Sequence, residues 1–402
     1  MAREIKIEDF FYELPDEKIA KFPLEKRSDS KLLVYQNGLI QDSAFNSIIN
    51  FLPKPSTLVF NNTKVVSARL LFENQKNKRK PIEIFILDPA NNLSVEEGML
   101  QKGKSTWNCL IGNLRHFSNP FIEKSIKIEN SIFYLRANNP TNKNDAFTVE
   151  FEWDLDATFA EILNHAGIIP LPPYLKRIPD ENDKNRYQTV YAKKAGSVAA
   201  PTAGLHFTDE IINEFKNNQI SSEYLVLHVG AGTFKPVKSL SMKDHNMHSE
   251  EIIVSKKTIC NLINNTNNLI AVGTTSLRTL ESLFWIGLKL HQGLKDLEVH
   301  QWDAYDLKVE ENFDFSKSLT YILKYLEINN LDSLKTKTEL LIAPGYKIRS
   351  IKGIITNFHQ PNSTLLLLIA SLVGDNWREI YQHALKNNYR FLSYGDSSLL
   401  LV

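Results

Sequence analysis

Histidines, hydroxyls and carboxylates gather in a few stretches where glycine and alanine leave the backbone open. Residues 196–208 read Gly-Ser-Val-Ala-Ala-Pro-Thr-Ala-Gly-Leu-His-Phe-Thr. So many small residues cannot fill a core, but they let main chain approach a ligand closely. His206 comes just before an expected helix start, where free N–H groups suit an anion or a carboxylate. A tight packing turn is the plainer explanation. Residues 227–237 carry His228 and then Gly230-Ala231-Gly232-Thr233 after an apolar run. Ligands of α/β sheets bind at such strand ends. No third glycine follows at the right spacing and Pro236 opposes a helix, so this is not a dinucleotide fingerprint. His245 and His248 stand three apart, with Glu250 two further on. They suit acid–base chemistry, a metal given a third ligand, or simply a polar loop. Residues 271–282 put Thr274 and Thr275 where a strand runs into a helix, with Arg278 and Glu281 three apart on that helix. An ordinary capped helix with a surface ion pair would look the same. Asn357 and His359 follow a short apolar run, and Tyr394 and Asp396 sit in an aromatic segment near residue 396.

Positioning these groups requires strands that end in loops. Short apolar runs at 32–35 and 57–60 predict strands. Between 67 and 154 six further runs, at 70–73, 82–87, 107–111, 126–128, 132–137 and 147–153, predict a small all-β barrel or sandwich with no helix. From 158 the pattern alternates. Helices are predicted at 158–165, 209–218 (with Thr208 as N-cap), 276–289 and 376–387, and an apolar helix follows Ser363-Thr364. Strands are predicted at 225–229, 269–272, 340–343 and 353–357. The expected fold class is α/β: a discontinuous, barrel-like mixed α/β domain from residues 1–66 and 155–402, with an all-β barrel domain, 67–154, inserted. Residues 303–338, polar and lysine-rich, read as an elaborated loop carrying one helical stretch at 319–326.

Composition narrows the class. Lys plus Arg is 47 and Asp plus Glu 46, a net charge of +1. Any nucleic-acid site must therefore come from local basic patches. Two distant cysteines, Cys109 and Cys260, fit neither a disulfide scaffold nor a Cys-based zinc site. Without an apolar leader or a run of about 20 apolar residues, the expectation is a soluble cytoplasmic protein with no membrane partner.

The motifs also occur in a recognisable order. Phe-Asn-Asn-Thr-Lys-Val at 60–65, Pro-Leu-Pro-Pro-Tyr at 170–174 and Arg-Tyr-Gln-Thr-Val-Tyr-Ala at 186–192 come first. The stretches 198–208, 227–237, 245–250, 272–281, 357–359 and 389–396 follow. Together they resemble the S-adenosylmethionine:tRNA ribosyltransferase-isomerase family over nearly the whole chain apart from 303–338. Gln360 stands where the family pattern has leucine. The resemblance implies an enzyme that moves the ribosyl part of S-adenosylmethionine onto 7-aminomethyl-7-deazaguanine at the tRNA wobble position. Rearrangement gives epoxyqueuosine, and adenine and methionine leave. S-adenosylmethionine is then a cosubstrate, and no cofactor or metal is expected. The candidate catalytic groups are His206, His228, His248, Glu250 and His359. The candidate substrate contacts are Asn61, Thr63, Arg69, Tyr174, Arg186, Tyr187, Thr202, Gly204, Gly230, Gly232, Thr233, Thr274, Thr275, Arg278, Glu281, Asn357, Tyr394 and Asp396. Arg177, Lys193 and Lys194 are the candidate tRNA contacts, with a second basic cluster at Lys76, Lys78, Arg79 and Lys80. A monomer is expected, with a dimer left open.

Overall fold

A computed structural model describes residues 2–74, 80–91, 93–117, 120–129, 131–143, 146–230, 239 and 241–402. The architecture is mixed α/β, built on a nine-stranded sheet and a curled antiparallel half-barrel. Four parallel strands form the middle of the larger sheet, in the order Ile220–Leu227, Ser56–Asn61, Leu269–Val272, Gly353–Asn357. The last three are buried at every residue because both faces are covered, whereas Ile220–Leu227 is exposed at Ser221 and only half-buried from Ser222 to Tyr224. Successive side chains point to opposite sides. Leu58, Phe60, Ile270 and Val272 therefore enter one core, and Val59 and Ala271 the other. Ser397–Leu401 and Lys31–Gln36 extend the sheet on one side, Leu39–Ala44 closing that edge.

On the other side Glu250–Ser255 and then Ser333–Thr338 pair antiparallel. The segment 303–338, expected as a loop with a helical stretch at 319–326, keeps that stretch within a longer helix and adds an edge strand that was not expected. The segment holds the helix Phe315–Ile328 and the edge strand, and Phe315, Leu319, Ile322, Leu326 and Leu334 belong to the main core. Its lysines misled because they occupy the outer face of an amphipathic helix and of an edge strand, where charge discourages further pairing. The helix docks where Thr274–His291 has Gly287. A side chain there would meet Ser318 Oγ at 2.0 Å. Residues 340–343 are a second correction: they are buried but run as irregular chain. The strands Glu250–Ser255 and Ser397–Leu401 were not anticipated.

The half-barrel runs from Arg69–Phe72 to Ala146–Trp153 and takes in Gly167–Ile168. Its core reaches past residue 154 to Phe159, Ile162 and Leu163 of the expected helix, which runs Phe159–Ala166 with Thr158 as its cap. The Phe159 ring lies 5.3 Å from Trp107 and 5.5 Å from both Phe151 and Trp153. Two short helical elements, the α-helix Val95–Leu100 and the 3-10 turn Leu114–His116, interrupt the described strands, against expectation, and the first matters here. Ser94 and Glu97 cap it reciprocally, a spacing that is visible in the sequence. It fastens the half-barrel to the main sheet: Glu96 pairs with Lys194 at 2.7 Å and Lys335 at 3.7 Å, and Val95 N–H donates to Glu251.

Candidate active site

The carboxyl ends of the central strands open into a cavity of about 520 Å³. Three turns build it. After Val272 the chain bends through Gly273, whose φ of 89° favours glycine, into the 18-residue helix Thr274–His291. Thr274, Thr275 and Arg278 of its first turns face the cavity. After Asn357, the loop through His359 and Gln360 leads to the helix Thr364–Val373, which Ser363 caps. Two helix N-termini thus meet the same space. Residues 199–203 form the close-approach wall, and Tyr174 and Tyr187 close another side. The irregular 340–342 segment lines the cavity as well.

Ten of the expected residues line this space: His248, Glu250, His359, Tyr174, Tyr187, Thr202, Thr274, Thr275, Arg278 and Asn357. Gly230 is adjacent, its N–H 3.4 Å from Glu250 Oε1. Gly232 and Thr233 lie outside the described residues, as do Lys76, Lys78 and Arg79. Glu250 and Arg278 form a buried ion pair, and Arg278 Nε donates to Leu340 O at 3.3 Å. Among the described residues, Arg278 Nη2 and Thr275 Oγ1 are buried without a partner. Tyr174 OH bonds Ser393 Oγ at 2.6 Å, and burial pushes its pKa up to about 12. His359 Nε2 lies 3.0 Å from Thr356 Oγ1, and its backbone carbonyl accepts from Tyr12. Burial pushes its imidazole down to about 4, so it is neutral at neutral pH. His245, left out of the expected site, also lines the cavity. Burial first, and His248 second, lower its pKa. Gln301 holds this segment, donating to His245 O at 2.7 Å and accepting from Met247 N at 2.8 Å. Its role depends on folding across more than fifty residues, which no local motif signals. Glu250, the third ligand that a metal on His245 and His248 would need, is instead turned to Arg278.

The remaining candidates stand away from the cavity, and their bonds explain why. His206 sits behind its wall. Asn357 Nδ2 donates to Leu392 O at 2.9 Å, so Asn357 Oδ1, 3.4 Å from His206 Nε2, is the acceptor there. His206 Nδ1 then accepts from Ser30 at 2.8 Å. Buried, this imidazole is pushed down to about 4 and sets the orientation of Asn357. His228, also pushed down to about 4 by burial, bonds Thr63 at 3.0 Å. Asn61 is a strand clamp that bonds both the N–H and the carbonyl of Leu227. Gly204 leaves room for Tyr191, whose hydroxyl would lie 1.9 Å from an added side chain. Arg69 pairs with Glu83 at 2.6 Å in the half-barrel. Arg186 donates to Glu25 O at 2.8 Å. Glu281 is buried within the fold, accepting from Tyr346 at 2.6 Å and Ser350 N at 2.8 Å. Tyr394 donates to Asp183, and Asp396 accepts from Arg390 and Lys31 N. Of the basic residues, Arg177 is spent in a bidentate pair with Asp183 and Lys194 is tied to Glu96. Lys193 is exposed, as is Lys80.

Comparison with known proteins gives these positions a lineage. Residues 7–400 match the family described as queuosine biosynthesis protein. A relative from Halothermothrix orenii, named S-adenosylmethionine:tRNA ribosyltransferase-isomerase, is 37% identical over 99% of this chain and 100% of its own. Relatives of the same name from Caldanaerobacter subterraneus and Vesicomyosocius okutanii are each 34% identical, over 99% and 98% of this chain and 100% and 98% of theirs. A crystal structure of an S-adenosylmethionine tRNA ribosyltransferase from Thermotoga maritima is 25% identical, covers 98% of this chain and 100% of its own, and has a TM-score of 0.46. With a family match along almost its whole length and relatives above 30% identity end to end, this chain belongs to the queuosine biosynthesis protein family.

Proposed function

We propose that this protein transfers and isomerises the ribosyl moiety of S-adenosylmethionine onto 7-aminomethyl-7-deazaguanine at the tRNA wobble position. The products are epoxyqueuosine-tRNA, adenine and methionine. The family match over residues 7–400 carries this conclusion. The cavity suits the chemistry. The sulfonium acidifies the neighbouring 5′ carbon, so a base removes a proton there and adenine departs. His245 and His248 on one wall are the groups we assign to proton transfer. His359, kept neutral by burial, accepts or donates a hydrogen bond without adding charge, and Asn357, oriented by His206, binds ribosyl hydroxyls. The rearrangement is internal, so no resident cofactor is needed. We place the reaction in the cytoplasm, with the tRNA reaching the cavity past Lys193, and we take the half-barrel as an inserted unit docked through Val95–Leu100.

Incubation with precursor-bearing tRNA and S-adenosylmethionine, followed by mass analysis of the digested wobble nucleoside, tests this. Epoxyqueuosine with equal adenine and methionine is expected. Adenosylhomocysteine in their place would mark a methyltransferase and overturn the proposal.

A further inference from the structure

One corner of the cavity carries more unspent polarity than a packed wall requires. Arg278 is 7% exposed and Glu250 4%. Arg278 uses Nη1 on Glu250 and Nε on Leu340 O, while Nη2 is buried with no partner among the described residues. One turn earlier on the same helix, Thr275 Oγ1 is likewise buried with no partner. Both residues line the cavity, and both belong to the first turns of the 18-residue helix Thr274–His291. The free N–H groups and positive dipole end of that helix face the same corner. Buried donors without acceptors cost free energy, so they mark where an acceptor belongs.

The charge of the corner narrows the acceptor. Glu250 neutralises Arg278, so a bare anion such as phosphate would meet a carboxylate beside the guanidinium. Among the described residues, Glu250 Oε1 has only a long contact, 3.4 Å, from Gly230 N–H. The corner therefore offers donors with a partial positive field next to an underused carboxylate oxygen. The complement of that pattern is a carboxylate and an ammonium on one carbon.

We propose that this corner is a clamp for the α-amino-acid head of the sulfonium cosubstrate. The α-carboxylate accepts from Arg278 Nη2, Thr275 and the helix N-terminus, and the α-ammonium donates to Glu250. Glu250 is then a binding group, and the proton chemistry is left to the histidines. The clamp holds one end of the cosubstrate while the ribosyl carbon reacts, and the same contacts are available to departing methionine. The inference deepens the proposed function and rests on it for the identity of the ligand.

The test compares binding of S-adenosylmethionine with that of its decarboxylated analogue, which keeps the ammonium nearest the chain and the sulfonium but lacks the carboxylate. Calorimetry on the wild-type protein should show the analogue weaker by at least about tenfold, the scale of losing a charge-assisted hydrogen bond. In Arg278→Gln and in Thr275→Val that preference should shrink, S-adenosylmethionine weakening while the analogue changes little. Thr275→Val leaves the Glu250 ion pair intact, so it decides the matter where Arg278→Gln fails to fold. Equal affinity of the wild type for both ligands, or an undiminished preference in folded Thr275→Val, overturns the clamp. Those outcomes differ from failure of the proposed function, in which no epoxyqueuosine forms although the protein is folded.

Discussion

The two sheets solve the burial problem in opposite ways. The inner strands Ser56–Asn61, Leu269–Val272 and Gly353–Asn357 of the large sheet are buried on both faces, and several polar groups near their carboxyl ends, such as Asn357 and Glu250, are held by partners from distant segments. The half-barrel buries one face around Phe159 and leaves the other to solvent, as the alternating burial of Ile82–Pro89 and Ala146–Trp153 shows. A sheet covered twice can hold neutral imidazoles and a buried ion pair at fixed positions beside a cavity. A sheet covered once carries surface and connects through a small docking helix. The cavity opens at the first, where groups can stay dry and aimed.

Acid should separate the two regions most. His206, His228 and His359 are held near 4 by burial, against 6.5 when unfolded. Below 6.5 the unfolded chain takes up protons that the folded chain refuses. The stabilisation is complete above 6.5 and is lost as the pH falls toward 4, by about 3 kcal/mol for each imidazole. Denaturant midpoints measured from pH 7.5 to 4.5 should fall accordingly, and His206→Gln should reduce the proton uptake on unfolding by about one. A flat profile would mean that these imidazoles are solvated.

The half-barrel should respond to packing rather than to pH. Phe159→Ala removes the ring shared by Trp107, Phe151 and Trp153 and should cost about 3–5 kcal/mol. Because its core is separate from the cavity, binding of S-adenosylmethionine to the folded variant should change by less than about twofold. Loss of cosubstrate affinity in a protein that remains folded would join the two regions that the structure keeps apart. The smallest effect belongs to the surface. Lys193→Ala should lower the slope of log affinity for tRNA against log salt by about 0.7, the value for one single-strand phosphate contact. Cosubstrate affinity should not move, and an unaltered slope removes Lys193 from the RNA path.

The sequence disclosed what is local. Apolar runs marked the parallel strands at 269–272 and 353–357, and Thr158, Thr208 and Ser363 marked helix starts, because a strand period or an N-cap needs only its neighbours. Helix Val95–Leu100 was equally visible in Ser94 and Glu97, and was hidden by the surrounding strands. Edge strand Ser333–Thr338 was obscured by lysines whose inward neighbours are few. Among the site residues, spacing could bring Thr274, Thr275 and Arg278 to one helix end. It could not tell Arg278 from Glu281. One faces the cavity, and the other is consumed by Tyr346 and Ser350, which lie more than sixty residues away in the chain. Arg177 looks available for RNA in the sequence, but Asp183, six residues on, takes Nη1 and Nη2, and Lys21 O takes Nε.

The place of Ser56–Asn61 in the sheet bears on how the chain is made. This strand is completed early in synthesis, yet both of its hydrogen-bonded neighbours, Ile220–Leu227 and Leu269–Val272, come more than 150 residues later. All six of its residues are buried in the finished protein. Until those neighbours are synthesised it has no partner in the sheet, whereas the half-barrel's strands lie close together in sequence. The ordering cost of such distant pairing slows folding, and the waiting edge is open to aggregation. The strand order that sets the cavity at the centre of the sheet also leaves the nascent chain with an apolar strand to shield until its partners are made.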